Sequence, residues 1–144
     1  MPTIELENRL RAISGVTSVS AHADGLWVEG ETLDVEAMAE AMNAQGIRMG
    51  TITAIPLAEF GETQIIYHYI APDSIINFKT VTRNGRLTSI SESVRAASWA
   101  EREIKDLFAV DFPGHPDLRP LFRPASFEEG MFRAPMNSQA RAAK

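Results

Sequence analysis

Three carboxylates lie close together within the segment Trp99–Phe122. They are Glu101, Glu103 and Asp106, and a histidine, His115, follows nine residues later. Neighbouring carboxylates can serve as a general acid and base or bind a divalent cation, and a histidine can do either. One hypothesis is therefore a small stand-alone enzyme in which Glu103, Asp106 and His115 act as acid, base or metal ligands.

Helical spacing in this segment argues against such a site. Successive residues of an α-helix are rotated by about 100°, so one face repeats every three or four positions. This spacing gives the helix an apolar stripe of four residues: Ala96, Ala100, Ile104 and Leu107. Glu101 and Asp106 point away from that stripe, so both are expected to lie in solvent.

Two of the three carboxylates then have partners on the same helix. Glu101 precedes Lys105 by four residues, and Asp106 follows Arg102 by four. Opposite charges attract each other at this spacing on a helix. Glu103 remains at the edge of the apolar stripe, where a carboxylate needs a cation or several N–H donors. We expect Arg119 or an arginine of another chain to supply them.

Three helices are predicted from apolar residues three and four positions apart. The first covers residues 3–14, and the second follows the capping residue Asp34 and ends at Gly46. Its stripe contains two methionines, which at this spacing are expected to fill the core. Ser91 is predicted to cap the third helix, which ends near Phe108.

Five strands are predicted from runs of β-branched and aromatic residues, at 16–21, 26–29, 47–57, 63–71 and 75–83. Asp24-Gly25 is typical of a hairpin turn, and Asn84-Gly85 marks a second tight turn before a candidate short return strand at 86–90. The element order α-β-β-α-β-β-β-α predicts a two-layer α+β fold, with a mixed sheet and helices on one face.

Composition restricts the classes of function. The 144 residues include no cysteine, which excludes thiolate nucleophiles, zinc ribbons and cysteine-ligated iron–sulfur clusters on this chain. Residues 1–118, read as one domain, carry a formal charge of −8, and residues 119–144, read as a tail that orders on a partner, carry +3. An acidic domain without clustered Lys and Arg predicts no nucleic-acid binding. The spaced arginines of the tail suit an acidic protein partner.

A longer pattern runs through the same segment. Glu101-Arg102-Glu103, then Asp106-Leu107-Phe108, then His115-Pro116-Asp117-Leu118-Arg119 resembles the signature of the respiratory-chain NADH dehydrogenase 30 kDa subunit family. That family includes the equivalent small subunit of energy-converting, membrane-bound NiFe hydrogenases and of formate hydrogenlyases. Ala109 stands where a glycine is usual and Pro120 where a second arginine is common, and a Trp-rich ending is missing. The docking motif survives the two substitutions, and the altered ending favours the hydrogenase branch.

The resemblance implies a non-catalytic structural subunit. It would hold no cofactor, and the NiFe centre or iron–sulfur clusters would lie on partner subunits. It would pack on the large catalytic subunit beside the iron–sulfur subunit, peripheral to the cytoplasmic face of a membrane. The partner-binding residues implied are Trp99, Glu101, Arg102, Glu103, Asp106, Phe108, Gly114, His115, Pro116, Asp117, Arg119 and Arg123. The alternatives are the 30 kDa-type subunit of a true NADH:quinone oxidoreductase, the stand-alone enzyme above, or a peptide-binding module that uses a sheet edge.

Overall fold

A computed structural model describes residues 3–57 and 61–119. Its elements, in chain order, are α1 (Thr3–Arg11), β1 (Ser18–His22), β2 (Gly25–Glu29), α2 (Val35–Ala44), β3 (Arg48–Leu57), β4 (Glu62–Ile70), β5 (Ile75–Val81) and α3 (Ala97–Phe108). The order matches the predicted one, and the α+β class is confirmed. Except for Arg119, the predicted tail, Arg123 included, lies outside the described residues.

The five strands form one mixed sheet in the order β1-β2-β5-β4-β3. Antiparallel pairing joins all neighbours except β2 and β5, which run parallel. The predicted β1–β2 hairpin is present, but its two-residue turn is Ala23-Asp24, one residue earlier than predicted, because His22 pairs with Gly25. A mixed sheet of this kind results because β5 returns from a meander to lie beside a strand of the first hairpin.

The second helix begins as its sequence predicts. The Asp34 side chain accepts a hydrogen bond from the Ala37 amide at 3.0 Å, which satisfies one of the free N–H groups of the first turn. The predicted stripe is buried and consists of Val35, Met38, Ala39 and Met42. The methionines therefore fill the core.

The core lies between the helices and one face of the sheet. On that face Tyr67 and Tyr69 are fully buried, and Tyr69 meets Phe78 edge-on with ring centroids 5.6 Å apart. Leu10 of α1 and Ile104 of α3 belong to the same cluster. One layer of helices on one layer of sheet is therefore sufficient to enclose the core.

The third helix does not begin where it was predicted. Residues 91–93 form a turn, and the helix starts at Ala97, preceded by Ala96, which makes no capping hydrogen bond through its side chain. The prediction that Ser91 caps the helix is wrong, because Ala96 occupies the N-cap position and Ser91 is buried five residues earlier. The start is delayed because the Ser93 and Val94 amides donate to the Ile90 carbonyl at 3.2 and 2.9 Å and close a separate turn first.

Residues 86–90 do not form the return strand that was considered. Only Arg86 makes isolated bridges, to Arg83 across the Asn84-Gly85 turn and to Asp111 in the parallel sense. The turn is fixed by Glu62, whose carboxylate accepts hydrogen bonds from the amides of Asn84 and Gly85 at 2.8 and 2.9 Å. The chain after the turn thus leads towards α3 instead of back into the sheet.

Candidate partner-docking site

The face of α3 that is buried includes an acidic side chain. Ala97, Glu101 and Ile104 are spaced by four and three residues, and all three are buried. Glu101 has 0% relative exposure. The expected solvated pair of Glu101 with Lys105 is therefore wrong, because the buried stripe passes through Glu101.

Glu101 is held by the segment that precedes α3. The Ser89 hydroxyl donates to Glu101 Oε1 at 2.6 Å, and the Ile90 amide donates to Oε2 at 3.0 Å. Burial raises the pKa of Glu101 to about 7, although both hydrogen bonds act in the opposite direction. Burial dominates, because a carboxylate without a cation loses more solvation than two donors restore.

His115 connects the chain after α3 to the same place. Its side chain is fully buried, and Nε2 lies 3.1 Å from the Ser98 carbonyl oxygen and 3.9 Å from Glu101 Oε1. The Asp117 amide donates to Nδ1 at 2.9 Å. Since Nδ1 is an acceptor here, the ring proton is on Nε2, which donates to Ser98. His115 thus fixes the turn at residues 113–117 against α3.

The segments before and after α3 are also hydrogen-bonded to each other. The Leu87 and Ser89 amides donate to the Asp111 and Pro113 carbonyls at 3.0 and 2.9 Å. Lys105 lies 3.6 Å from the Asp111 carboxylate, which replaces the pairing with Glu101 that was expected. We call this unit, residues 85–119, the α3 clasp.

The end of the α3 clasp is fixed by a local ion pair. Arg119 donates through Nε and Nη2 to the two carboxylate oxygens of Asp117, at 2.8 and 2.6 Å. The hydrogen bond from Arg119 lowers the pKa of Asp117 to about 2. Arg102 donates from Nε to the Arg119 carbonyl at 2.9 Å. Arg119 therefore does not supply the cation that was expected for Glu103.

The opposite face of α3 is exposed. Trp99 has 67% relative exposure, and Glu103, four residues later, is exposed on the same side. Within the described residues, Glu103 makes no ion pair. Glu101 and Glu103 project about 200° apart around the helix. Because His115 faces Glu101, the groups of the enzyme hypothesis do not converge.

The remaining motif residues differ in how far they are buried. Asp106 is buried and makes an interaction of its own, so its predicted position in solvent is wrong. Phe108 is partly buried against the core. Gly114 adopts a φ of 90° in the turn before His115, and Pro116 is exposed. The motif therefore combines residues that build the α3 clasp with residues that its surface presents.

Sequence reasoning missed the partners of Glu101 and His115. Ser89, Ile90 and Ser98 supply the contacts, and none of them stood out by type or spacing. A signal was present, since Ala97, Glu101 and Ile104 follow helical spacing as well as the stripe that was chosen. A stripe drawn through apolar residues alone omits it, because one of its three members is charged.

Neither a metal site nor a membrane span is found in the part of the chain that the structure describes. No group of three or more His, Cys, Asp or Glu residues there is arranged to hold a metal ion. No helix among these residues is both long and apolar enough to cross a bilayer.

Curated proteins similar to this chain are C subunits of NADH-quinone oxidoreductases. The C subunit from Chelativorans sp. (strain BNC1) is 38% identical over 68 residues, which cover 45% of this chain and 34% of that protein. The one from Sinorhizobium medicae (strain WSM419) is 36% identical over 67 residues, 44% of this chain and 33% of that protein. The chain thus spans about a third of the length of the curated relatives it matches.

Two solved structures have the same fold. One is the structure of the membrane-bound sulfane sulfur reductase, an archaeal respiratory membrane complex, with a TM-score of 0.77 and 18% identity, covering 97% of this chain and 89% of the other. The second is a trypsin-resistant fragment of Nqo5, with a TM-score of 0.64 and 24% identity, covering 82% and 100%. A family model for the respiratory-chain NADH dehydrogenase 30 kDa subunit matches residues 26–142. With more than half of its length matched, the chain belongs to the respiratory-chain NADH dehydrogenase 30 kDa subunit family.

Proposed function

We propose that this chain is a non-catalytic subunit of a membrane-associated, complex I-like oxidoreductase and that it docks through the exposed face of α3 onto the large catalytic subunit. The observation that carries the proposal is the position of Trp99. A tryptophan that is 67% exposed contributes little to the core of its own chain, whereas buried tryptophans are among the residues that contribute most to protein interfaces.

The α3 clasp supports this role because it holds the docking face rigidly. Glu101 ties α3 to the segment before it, and His115 ties α3 to the segment after it. A side chain presented from a fixed helix loses less conformational entropy on binding than one presented from a mobile loop. The face that carries Trp99 is thus preorganised by contacts on the opposite side of the same helix.

The chemistry of the partner follows from the neighbours of Trp99 on α3. Arg102 and Glu103 lie three and four residues after it, which places one side chain of each charge near the indole on the helix surface. A complementary surface would offer an apolar pocket for the ring and polar groups of both charges at its rim. An aromatic-accepting cleft with a polar rim on the large subunit meets both requirements.

Redox chemistry in this proposal belongs to the partner subunits. NiFe and iron–sulfur centres would lie on the large and iron–sulfur subunits, at the cytoplasmic face of the membrane. We take the energy-converting hydrogenase branch as the first candidate, as the sequence resemblance implies. The equivalent subunit of an NADH:quinone oxidoreductase is the second candidate, and the names of the curated relatives favour it.

The test is purification of the complex from native membranes through an affinity tag on this chain. The large subunit should co-purify with the wild type and be reduced at least tenfold with Trp99→Ala. Ile4→Ala is the matched control, because Ile4 is 75% exposed on another helix and should leave recovery unchanged. Equal recovery with both variants, or no large subunit with the wild type, would contradict the proposal. Stoichiometric nickel in the purified complex would indicate the hydrogenase branch.

A further inference from the structure

Three segments of the chain meet at the carboxyl group of Glu101. Ser89 and Ile90 donate hydrogen bonds to it, α3 carries it, and the 113–117 turn approaches it through His115 at 3.9 Å. We propose that Glu101 is a protonation-dependent latch: the neutral carboxyl group holds the α3 clasp closed, and loss of its proton weakens the attachment of residues 113–119. This regulatory property goes beyond the proposed docking function and can be tested without any partner.

The contacts of Ser89 allow the carboxyl group to exist in both protonation states. The Ser91 amide donates to Ser89 Oγ at 3.1 Å, and the Ser89 and Ser91 hydroxyls lie 2.9 Å apart, with either as donor. When Glu101 is ionised, the Ser89 hydroxyl donates to it. When Glu101 is neutral, its proton is donated to Ser89 Oγ, and the Ser89 hydroxyl turns to Ser91. The hydrogen-bond network is complete in both states.

The two states differ in their electrostatics. From the 113–117 turn, Glu101 faces His115, whose Nδ1 accepts a hydrogen bond and therefore carries no proton in this arrangement. From β4 it faces Tyr67, and the 89–91 segment contributes no charged side chain. Burial, then the charge of Glu101, raises the pKa of Tyr67, so that ring stays neutral. An ionised Glu101 is consequently buried without a cation.

The direction of the effect follows from the shift. The pKa of Glu101 is about 7 in the closed clasp, against an ordinary value of 4.5. Since the pKa is raised by closing, the latch is fully stabilised below pH 4.5, weakens as the pH rises from 4.5 to 7, and changes little above 7. If opening exposes Glu101 fully to solvent, the equilibrium constant for opening the α3 clasp increases about fiftyfold between pH 5 and pH 7.5.

Hydrogen exchange of the full chain, followed residue by residue by NMR, tests the latch. Protection factors corrected for intrinsic exchange should be measured for the Ser89 and Asp117 amides from pH 5 to pH 7.5. Glu101→Gln mimics the neutral carboxyl group, since its amide NH₂ can donate to Ser89 Oγ and its oxygen can accept from Ile90. Glu103→Gln, on the exposed face of the same helix, is the matched control.

We expect the protection in the wild type and in Glu103→Gln to fall about fiftyfold relative to Glu101→Gln across this range. Because His115 is present in all three proteins, the ratio removes any effect of His115 that does not depend on Glu101. An identical pH dependence in wild type and Glu101→Gln would overturn the proposal. If Glu101→Gln does not fold, the side-chain carboxyl ¹³C titration of the wild type is read together with the Asp117 protection factor. A midpoint near 7 with protection that falls up to this pH and then levels off supports the latch; a midpoint near 4.5, or protection independent of pH, overturns it. Neither result depends on docking.

Discussion

Ala109 ends α3 in a conformation that suits glycine. Its φ and ψ are 57° and 31°, in the left-handed region, and its amide donates to the Lys105 carbonyl at 3.0 Å. For a residue with a Cβ, this conformation costs about 1–2 kcal/mol, because the Cβ crowds its own backbone. Ala109→Gly should therefore stabilise the chain.

The size of the gain is set by two opposing contributions. Glycine removes the strain of about 1–2 kcal/mol in the folded state. It also makes the unfolded chain more flexible, which lowers the free energy of unfolding by about 0.4–1 kcal/mol. The expected net gain in the free energy of unfolding is about 1 kcal/mol, which for a chain of this size raises Tm by about 3 °C.

Urea unfolding at constant pH measures the difference. Ala109→Gly should raise the midpoint without changing the slope. Ala100→Gly, the same substitution in the interior of α3, is the control and should cost about 1 kcal/mol, because an ordinary helical φ gives glycine no advantage. Two destabilising results of similar size would refute the reasoning that Ala109 is strained. A gain at Ala109 alone would show that alanine at this left-handed position lowers the free energy of unfolding.

Three further predictions follow from single contacts, each measured by urea unfolding. Burial raises the pKa of Glu62, but hydrogen bonds from Gly85, Thr82 and Asn84 lower it further, so the net shift is downward. The stability advantage of wild type over Glu62→Gln should be present above pH 4.5 and shrink as the pH falls; an advantage independent of pH contradicts this. Tyr67→Phe should cost nothing, because the hydroxyl has no hydrogen-bond partner among the described residues; a loss above about 1 kcal/mol would point to a hidden partner. Gly30→Ala should cost more than Gly46→Ala, where the left-handed φ of 68° alone costs about 1–2 kcal/mol, since of the two only Gly30 would bring an added Cβ against the Gly15 carbonyl oxygen; a loss at Gly30 no larger than at Gly46 would count against that close approach.

Local signals in the sequence were sufficient for most of the fold. The Asp34 cap, the buried stripe of α2 and the β1–β2 hairpin depend on neighbours within a few residues, and the structure confirms all three. The fold class follows from the order of such elements. These features were predictable because their physical causes are short-range.

The candidate site was less predictable because its contacts are long-range. Glu101 is tied to Ser89, twelve residues earlier, and His115 to Ser98, seventeen residues earlier. A helix-surface argument assigns a charged residue to solvent unless its distant donors are known. The same limitation explains Ser91, whose buried position depends on packing against Ser89 and not on the start of α3.

The single parallel pairing in the described sheet has a consequence for how the chain folds. The β3–β4–β5 meander pairs strands that are close in sequence, and so does the β1–β2 hairpin. Among these strands only the β2–β5 pairing joins the two halves, and it brings together Leu26 and Ile76, fifty residues apart in the sequence. Closing so long a loop costs entropy before any contact compensates for it. We expect the hairpin and meander to form first and their docking along β2 and β5 to limit the folding rate.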